Sequence, residues 1–180
     1  GGATDEQLAR AAERGKLLHM AAEDIDRTGA CDWTLPDWRG YLDGYQLFKQ
    51  DFHFVPDCIE ETRIDVMHGY AGRIDRTGTV MINKAETVKV VLDLKFTAAI
   101  SKHVGLQLAA YNNFFVDAHE RRRLVVRPLV NGRYETLWCD EVSSYFHDVS
   151  TFFACLTVAK WRDKQFNLGL WKKENSNDRD

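Results

Sequence analysis

The sequence has no apolar run as long as the roughly 20 residues that cross a bilayer, no paired cysteines and no strong excess of either charge. Each lack narrows the field. Without a long apolar segment, or a charged-then-apolar start, neither a membrane span nor a secretion signal is expected, and the chain reads as cytoplasmic. Cys31, Cys58, Cys139 and Cys155 form no CxxC pair and no short Cys/His spacing, which argues against structural zinc or an iron–sulfur centre. They read as mostly buried thiols in a reducing compartment. A net charge of −3 gives no global pull toward nucleic acid or anionic lipid, so a polyanionic partner has to be met by a local patch. No internal repeat or interdomain linker is visible.

What is present suits one soluble domain: 180 residues with 44% hydrophobic content are enough to bury a core without staples. Residues 1–172 read as that domain and the polar tail 173–180 as disordered. Helical spacing runs from Asp5 to Arg27 behind Thr4 as a cap, and again from Pro36 through Trp38, Tyr41, Leu42, Tyr45 and Phe48. Alternation then takes over, predicting strands over 59–66, 72–82 and 88–96. A helix is predicted over 98–117, a hairpin around Asn131-Gly132, and a last helix carrying Tyr145, Val149, Phe152, Phe153 and Leu156. The fold class is therefore α/β (α+β), a central mixed sheet with three antiparallel meander strands flanked by helices, an N-terminal helical region and a C-terminal hairpin plus helix.

Charge sits oddly in this pattern. In "VVLDLKF", Val90, Leu92 and Leu94 face one way while Asp93 and Lys95 share the other face. A turn centred on Lys84 sets Asp75 of the preceding strand opposite Asp93, and like charges opposed across a hairpin call for a cation between them. A turn centred on His68 brings Glu61, rather than Glu60, beside Asp75; a one-residue change in that turn reverses the preference.

In order along the chain stand "RGKLLHMAAE", an acidic strand, "YAGRIDR", "VVLDLKF" and "LQLAAY". This series resembles the PD-(D/E)XK nuclease superfamily, and within it the RecB-like exonuclease branch: a helix with a metal-binding His, a G-x-x-D strand, a D-x-K strand and a Q-x-x-x-Y helix. "RRRLVVRPLVNGRYETLWC" is similar to the hairpin that follows in phage members. The late cysteine cluster of the iron–sulfur members has no counterpart, since Cys139 and Cys155 stand alone.

The resemblance implies a restriction-endonuclease-like core and a metal-dependent DNA nuclease, most simply an exonuclease that processes DNA ends in phage or bacterial recombination or repair. A structure-specific endonuclease and a non-catalytic binding module on the same fold are the alternatives. It also implies Mg²⁺ or Mn²⁺ held by His19, Asp75, Asp93 and the backbone carbonyl of Leu94. Lys95 would act on the phosphate, Glu61 on a second metal or a water, and Gln107 and Tyr111 would position these groups. Such an ion neutralises charge in phosphodiester hydrolysis and acidifies water, and an imidazole ligand makes Mn²⁺ as suitable as Mg²⁺. For the DNA, Arg73, Arg76, Arg121, Arg122 and Arg123 are the candidate contacts. The same arginines also suit a solvated helix end or a partner protein, such as a recombination or single-strand-binding protein. No groove-reading motif is present, which points to recognition of strand ends or structure rather than sequence.

Overall fold

The computed structural model describes residues 4–31, 36–83 and 85–167. Helix α1 (Asp5–Thr28) starts with a capping box: Thr4 Oγ1 accepts from Gln7 N–H, and Gln7 Oε1 accepts from Thr4 N–H. It stops at Gly29, whose φ of +83° suits a residue without a side chain. Only its second half is built into the protein. Leu18, Ala21, Ala22 and Ile25 are buried, while the predicted apolar positions Leu8, Ala11 and Ala12 are exposed.

After a 3₁₀ turn (Pro36–Trp38), α2 (Arg39–Asp51) buries Leu42, Tyr45 and Phe48. Three antiparallel strands follow, β1 (Val55–Asp65), β2 (Tyr70–Ile82) and β3 (Glu86–Leu94). Helix α3 (Val104–Asn112) then carries the chain across to β4 (Arg122–Pro128), which pairs with β3 in parallel. Strand β5 (Tyr134–Trp138) returns antiparallel on the outer edge, a one-turn helix spans Cys139–Glu141, and α4 (Tyr145–Asn167) completes the described chain. The sheet order is β1-β2-β3-β4-β5, a five-stranded mixed sheet between helices, as the sequence pattern requires.

Alternation along β3 and β4 divides the core. Val90, Leu92, Leu94, Leu124 and Val126 pack with α1 and α2, whereas Val91 and Val125 pack with Val104 and Leu108 of α3. Gly40 and Gly44 let α2 approach the loop before β5 closely, because a Cβ on Gly40 would run into the carbonyl of Val130 and one on Gly44 into the carbonyl of Arg133.

Three expectations need correction. Helix α3 is shorter than 98–117. The Asn112 side-chain amide turns back to donate to the carbonyls of Ala118 (2.6 Å) and Arg121 (3.1 Å), and this local bonding replaces further helix. Arg123 does not face solvent. Fully buried, it bonds Asp140 (2.9 Å), Asp148 (2.5 Å) and the carbonyls of Gly105 and Ser143, tying β4 to the starts of α3 and α4. Arg121 and Arg122 are likewise engaged, Arg121 with Asp117 and the Phe115 ring, Arg122 with Glu141 and the Trp138 ring. The tail 173–180 lies outside the described residues. No helix among the described residues is long and apolar enough to cross a membrane.

Because the obstruction at Gly44 is backbone, it cannot swing aside. Gly44→Ala is expected to destabilise the fold by about 1–3 kcal/mol despite the better helix propensity of Ala. A urea titration should show a lower midpoint with an unchanged slope; an unchanged midpoint would mean that α2 can shift outward without penalty.

Candidate metal centre

The β2–β3 ladder runs from Ile82↔Glu86 to Arg76↔Leu92, and one step further in the same register Asp75 faces Asp93. There the backbone ladder gives way. The Leu94 N–H is satisfied by Asp75 Oδ2 at 2.8 Å, in place of a carbonyl on β2. This is the pairing expected from a turn at Lys84, a residue itself outside the described set. Leu94, the expected carbonyl ligand, is thereby drawn to the same carboxylate.

The β1–β2 register differs from expectation by one residue. Asp65↔Tyr70 and Glu61↔Ile74 put the turn centre between Met67 and His68, not on His68. Asp65 fixes that turn by accepting the His68 N–H (2.8 Å) and meeting its ring Nδ1 (2.7 Å). Glu60 therefore falls opposite Asp75, and Glu61 instead pairs with Arg63 at 2.9 Å. Glu60 carries a φ of +54°, a left-handed conformation unusual for a side-chain-bearing residue inside a strand.

His19 arrives from α1, its ring set edge-on against Phe96 at 5.2 Å between centroids. Its Nδ1 lies 3.6 Å from Glu60 Oε1 and 3.7 Å from Asp75 Oδ2. The three ligand atoms fall within 4.8 Å of one another. Ligands sharing one divalent ion with bonds of 2.0–2.6 Å stand about 3–4 Å apart, so this spacing suits one. The group differs from the expected set in having Glu60 where Asp93 was placed.

Asp93 sits next to this cluster, almost wholly buried. Lys95 Nζ approaches its two oxygens at 2.8 and 3.0 Å, and Gln107 Nε2 donates to Oδ1 at 3.2 Å. Among the described residues Oδ2 is met by the Lys95 ammonium and by no further donor. Gln107 also donates to the Tyr111 hydroxyl (3.1 Å), so α3 brings its Q-x-x-x-Y pair to the end of β3. The glycine of "GRID" has a packing reason: a Cβ on Gly72 would stand 2.5 Å from the Tyr111 ring.

The electrostatics are those of a crowded acidic site. Burial, then the charge of Asp75, pushes the Asp93 carboxyl up to about 6, and burial also raises Asp75. Burial opposes protonation of His19, but Glu60, Asp75 and Asp93 outweigh it and raise its pKa. Glu60 goes the other way, to about 2: its burial works against ionisation, but His19 and Arg76 prevail. Two carboxylates and an imidazole, with two of the local carboxyls resisting ionisation, fit a divalent cation.

Arg73 remains exposed at the edge of an open cleft of about 470 Å³ that also admits Lys16, His19, Glu60 and Asp75, and its Nε bonds Glu60 Oε2 at 2.8 Å. Arg76, predicted as a DNA contact, is wholly buried and faces inward. The sequence reading passed over its partner, Asp26 of α1. Its one signal was position, two helical turns after His19 and hence on the same face.

The raised Asp93 carboxyl sets a pH dependence in metal-free protein. Such a group gives the fold stability that is complete below its unfolded value near 3.8 and is lost as pH rises through about 6. Asp93→Asn should therefore be more stable than wild type at pH 8 by on the order of 2 kcal/mol, with the gap closing toward pH 4. Denaturant midpoints in chelator at the two pH values measure this; an equal gap at both would remove the buried-charge account.

Ligand roles are separable by Mn²⁺ calorimetry. His19→Ala and Glu60→Gln should each weaken Mn²⁺ binding about tenfold or more, whereas Glu61→Gln should leave it unchanged. Equal losses for Glu60→Gln and Glu61→Gln would contradict the assigned register.

Compared with protein-family models and with curated proteins, the chain matches none.

Proposed function

We propose that this protein is a metal-dependent deoxyribonuclease that hydrolyses phosphodiester bonds, working from DNA ends as an exonuclease. The observation that carries the reading is the juxtaposition of His19, Glu60 and Asp75 with the buried Asp93–Lys95 pair, at the open end of the β2–β3 ladder. Hard carboxylate oxygens plus one imidazole suit Mn²⁺ or Mg²⁺, and such an ion neutralises charge on a phosphate and acidifies water.

The chain's own groups then have distinct tasks. His19, Glu60 and Asp75 hold the cation, with Asp93 alongside them. The Lys95 ammonium, partly exposed beside Asp93, stabilises the negative charge that gathers on phosphate oxygens as the bond breaks. Gln107 orients Asp93, and Tyr111 orients Gln107. Arg73 at the cleft edge meets the DNA backbone, a contact that positions the strand without reading bases. Contacts of this kind carry no base sequence, which supports selection of DNA ends over selection of sequence.

The test is incubation of end-labelled linear, circular and nicked DNA with Mn²⁺. Digestion confined to linear and nicked DNA is expected; cutting of intact circles would make the enzyme an endonuclease, and binding without cutting would end the catalytic reading. Lys95→Ala should fold normally and lower the cleavage rate about 100-fold or more. Wild-type turnover in that variant would sink the assignment.

A further inference from the structure

We propose that Arg76, anchored by Asp26, is a positioning residue that holds the Glu60 carboxylate in the metal site. The proposal rests on the metal reading above and assigns a task to a buried cluster that reading does not use.

Burying charge is costly, and here four charged side chains meet under one end of the sheet. Asp26 and Arg76 have fully buried side chains, and Arg76 Nε donates to Asp26 Oδ2 at 2.6 Å. Arg76 Nη1 donates to Glu60 Oε1 at 2.8 Å and to the main-chain carbonyl of Asp75 at 2.6 Å. Asp26 is held from the far side by the Tyr45 hydroxyl (2.8 Å) and Lys49 Nζ (2.6 Å) of α2. The guanidinium thus bridges α1 to both residues of the site that come from strands β1 and β2.

A purely structural ion pair would not need this shape. An apolar pair of similar volume serves a core as well or better. Two observations tie the cluster to Glu60. The first is strain: a φ of +54° is costly for a glutamate and persists only where surroundings over-determine it. The second is incompleteness, because Arg76 Nη2 is buried with no hydrogen-bond partner among the described residues, so the side chain is placed for the bonds of its Nε and Nη1 rather than for its own full satisfaction. Arg73 grips the other oxygen of Glu60, but from solvent. The rigid hold comes from beneath.

The discriminating variant is Arg76→Lys, which keeps the charge and loses the planar fork that reaches Asp26, Glu60 and the Asp75 carbonyl together. Mn²⁺ affinity is measured by calorimetry in wild type, Arg76→Lys, Glu60→Gln and the double variant. The expected result is about a tenfold loss for Arg76→Lys in the wild-type background and no further loss when Glu60 is already Gln. Wild-type affinity in Arg76→Lys, or an equal loss in both backgrounds, would overturn the proposal, since a general softening of the fold does not depend on Glu60. Should Arg76→Lys not fold, Tyr45→Phe removes only the hydroxyl bond to Asp26 and carries the same comparison, with about a threefold loss expected. Failure of the wild-type protein to bind Mn²⁺ would overturn both this inference and the metal reading. Binding by wild type that Arg76→Lys and Tyr45→Phe leave unaffected, while Glu60→Gln weakens it, removes this inference alone.

Discussion

The repulsion between Asp75 and Asp93 is the constraint around which this end of the molecule is organised. Register places them opposite each other where the β2–β3 ladder ends, Asp93 almost wholly buried and Asp75 partly so. A buried carboxylate pair in low dielectric is unstable without compensation. Every neighbour supplies some. Asp75 accepts the Leu94 N–H, Asp93 takes Lys95 and Gln107, and His19 stands against Glu60 and Asp75. The raised Asp93 and His19 values show that this compensation is partial, the condition in which a bound cation is most favoured.

The division of the core brings both helix layers to this constraint. Two helices press on one face of the sheet and α3 on the other, and the site lies where both layers reach the end of β3. From one side α1 contributes His19 and Asp26; from the other, α3 contributes Gln107 and Tyr111. Packing of Leu18, Ala22 and Ile25 against the sheet therefore sets the position of the imidazole as well as the stability of α1.

Much of this was legible in the sequence, and the failures have physical causes. Alternation in "VVLDLK" gave the faces of β3 correctly, and the Asp75–Asp93 opposition followed from turn symmetry alone. The choice of Glu61 failed because strand parity depends on a single residue in the turn, and Asp65 with His68 shifted its centre. Arginine was the less readable residue. Arg76 and Arg123 look like surface charge, yet each is buried among acids that arrive from elements far away in sequence: Asp26 for Arg76, Asp140 and Asp148 for Arg123. No local pattern announces such a meeting, whereas a solvent-facing arginine and a buried one read alike.

These two buried arginines occupy different places in the logic of the fold. Arg123 has a partner for Nε and both terminal nitrogens, and it joins β4 to the starts of α3 and α4. Arg76 leaves Nη2 without a hydrogen-bond partner among the described residues, anchors Nε on Asp26 and directs Nη1 to the strained Glu60 and to the Asp75 carbonyl. Natural chains keep their local rules consistent except where function asks otherwise. By that criterion the cluster joining α1 to the end of β3 stands out, because a glutamate in left-handed conformation, carboxyls that resist ionisation and a buried arginine meet there among candidate ligands, whereas His53 and Asn83, the other non-glycine residues of positive φ among the described residues, lie in turns. The capping box, the Asn131-Gly132 hairpin and the aliphatic core obey the ordinary rules and supply the stability that lets those exceptions stand.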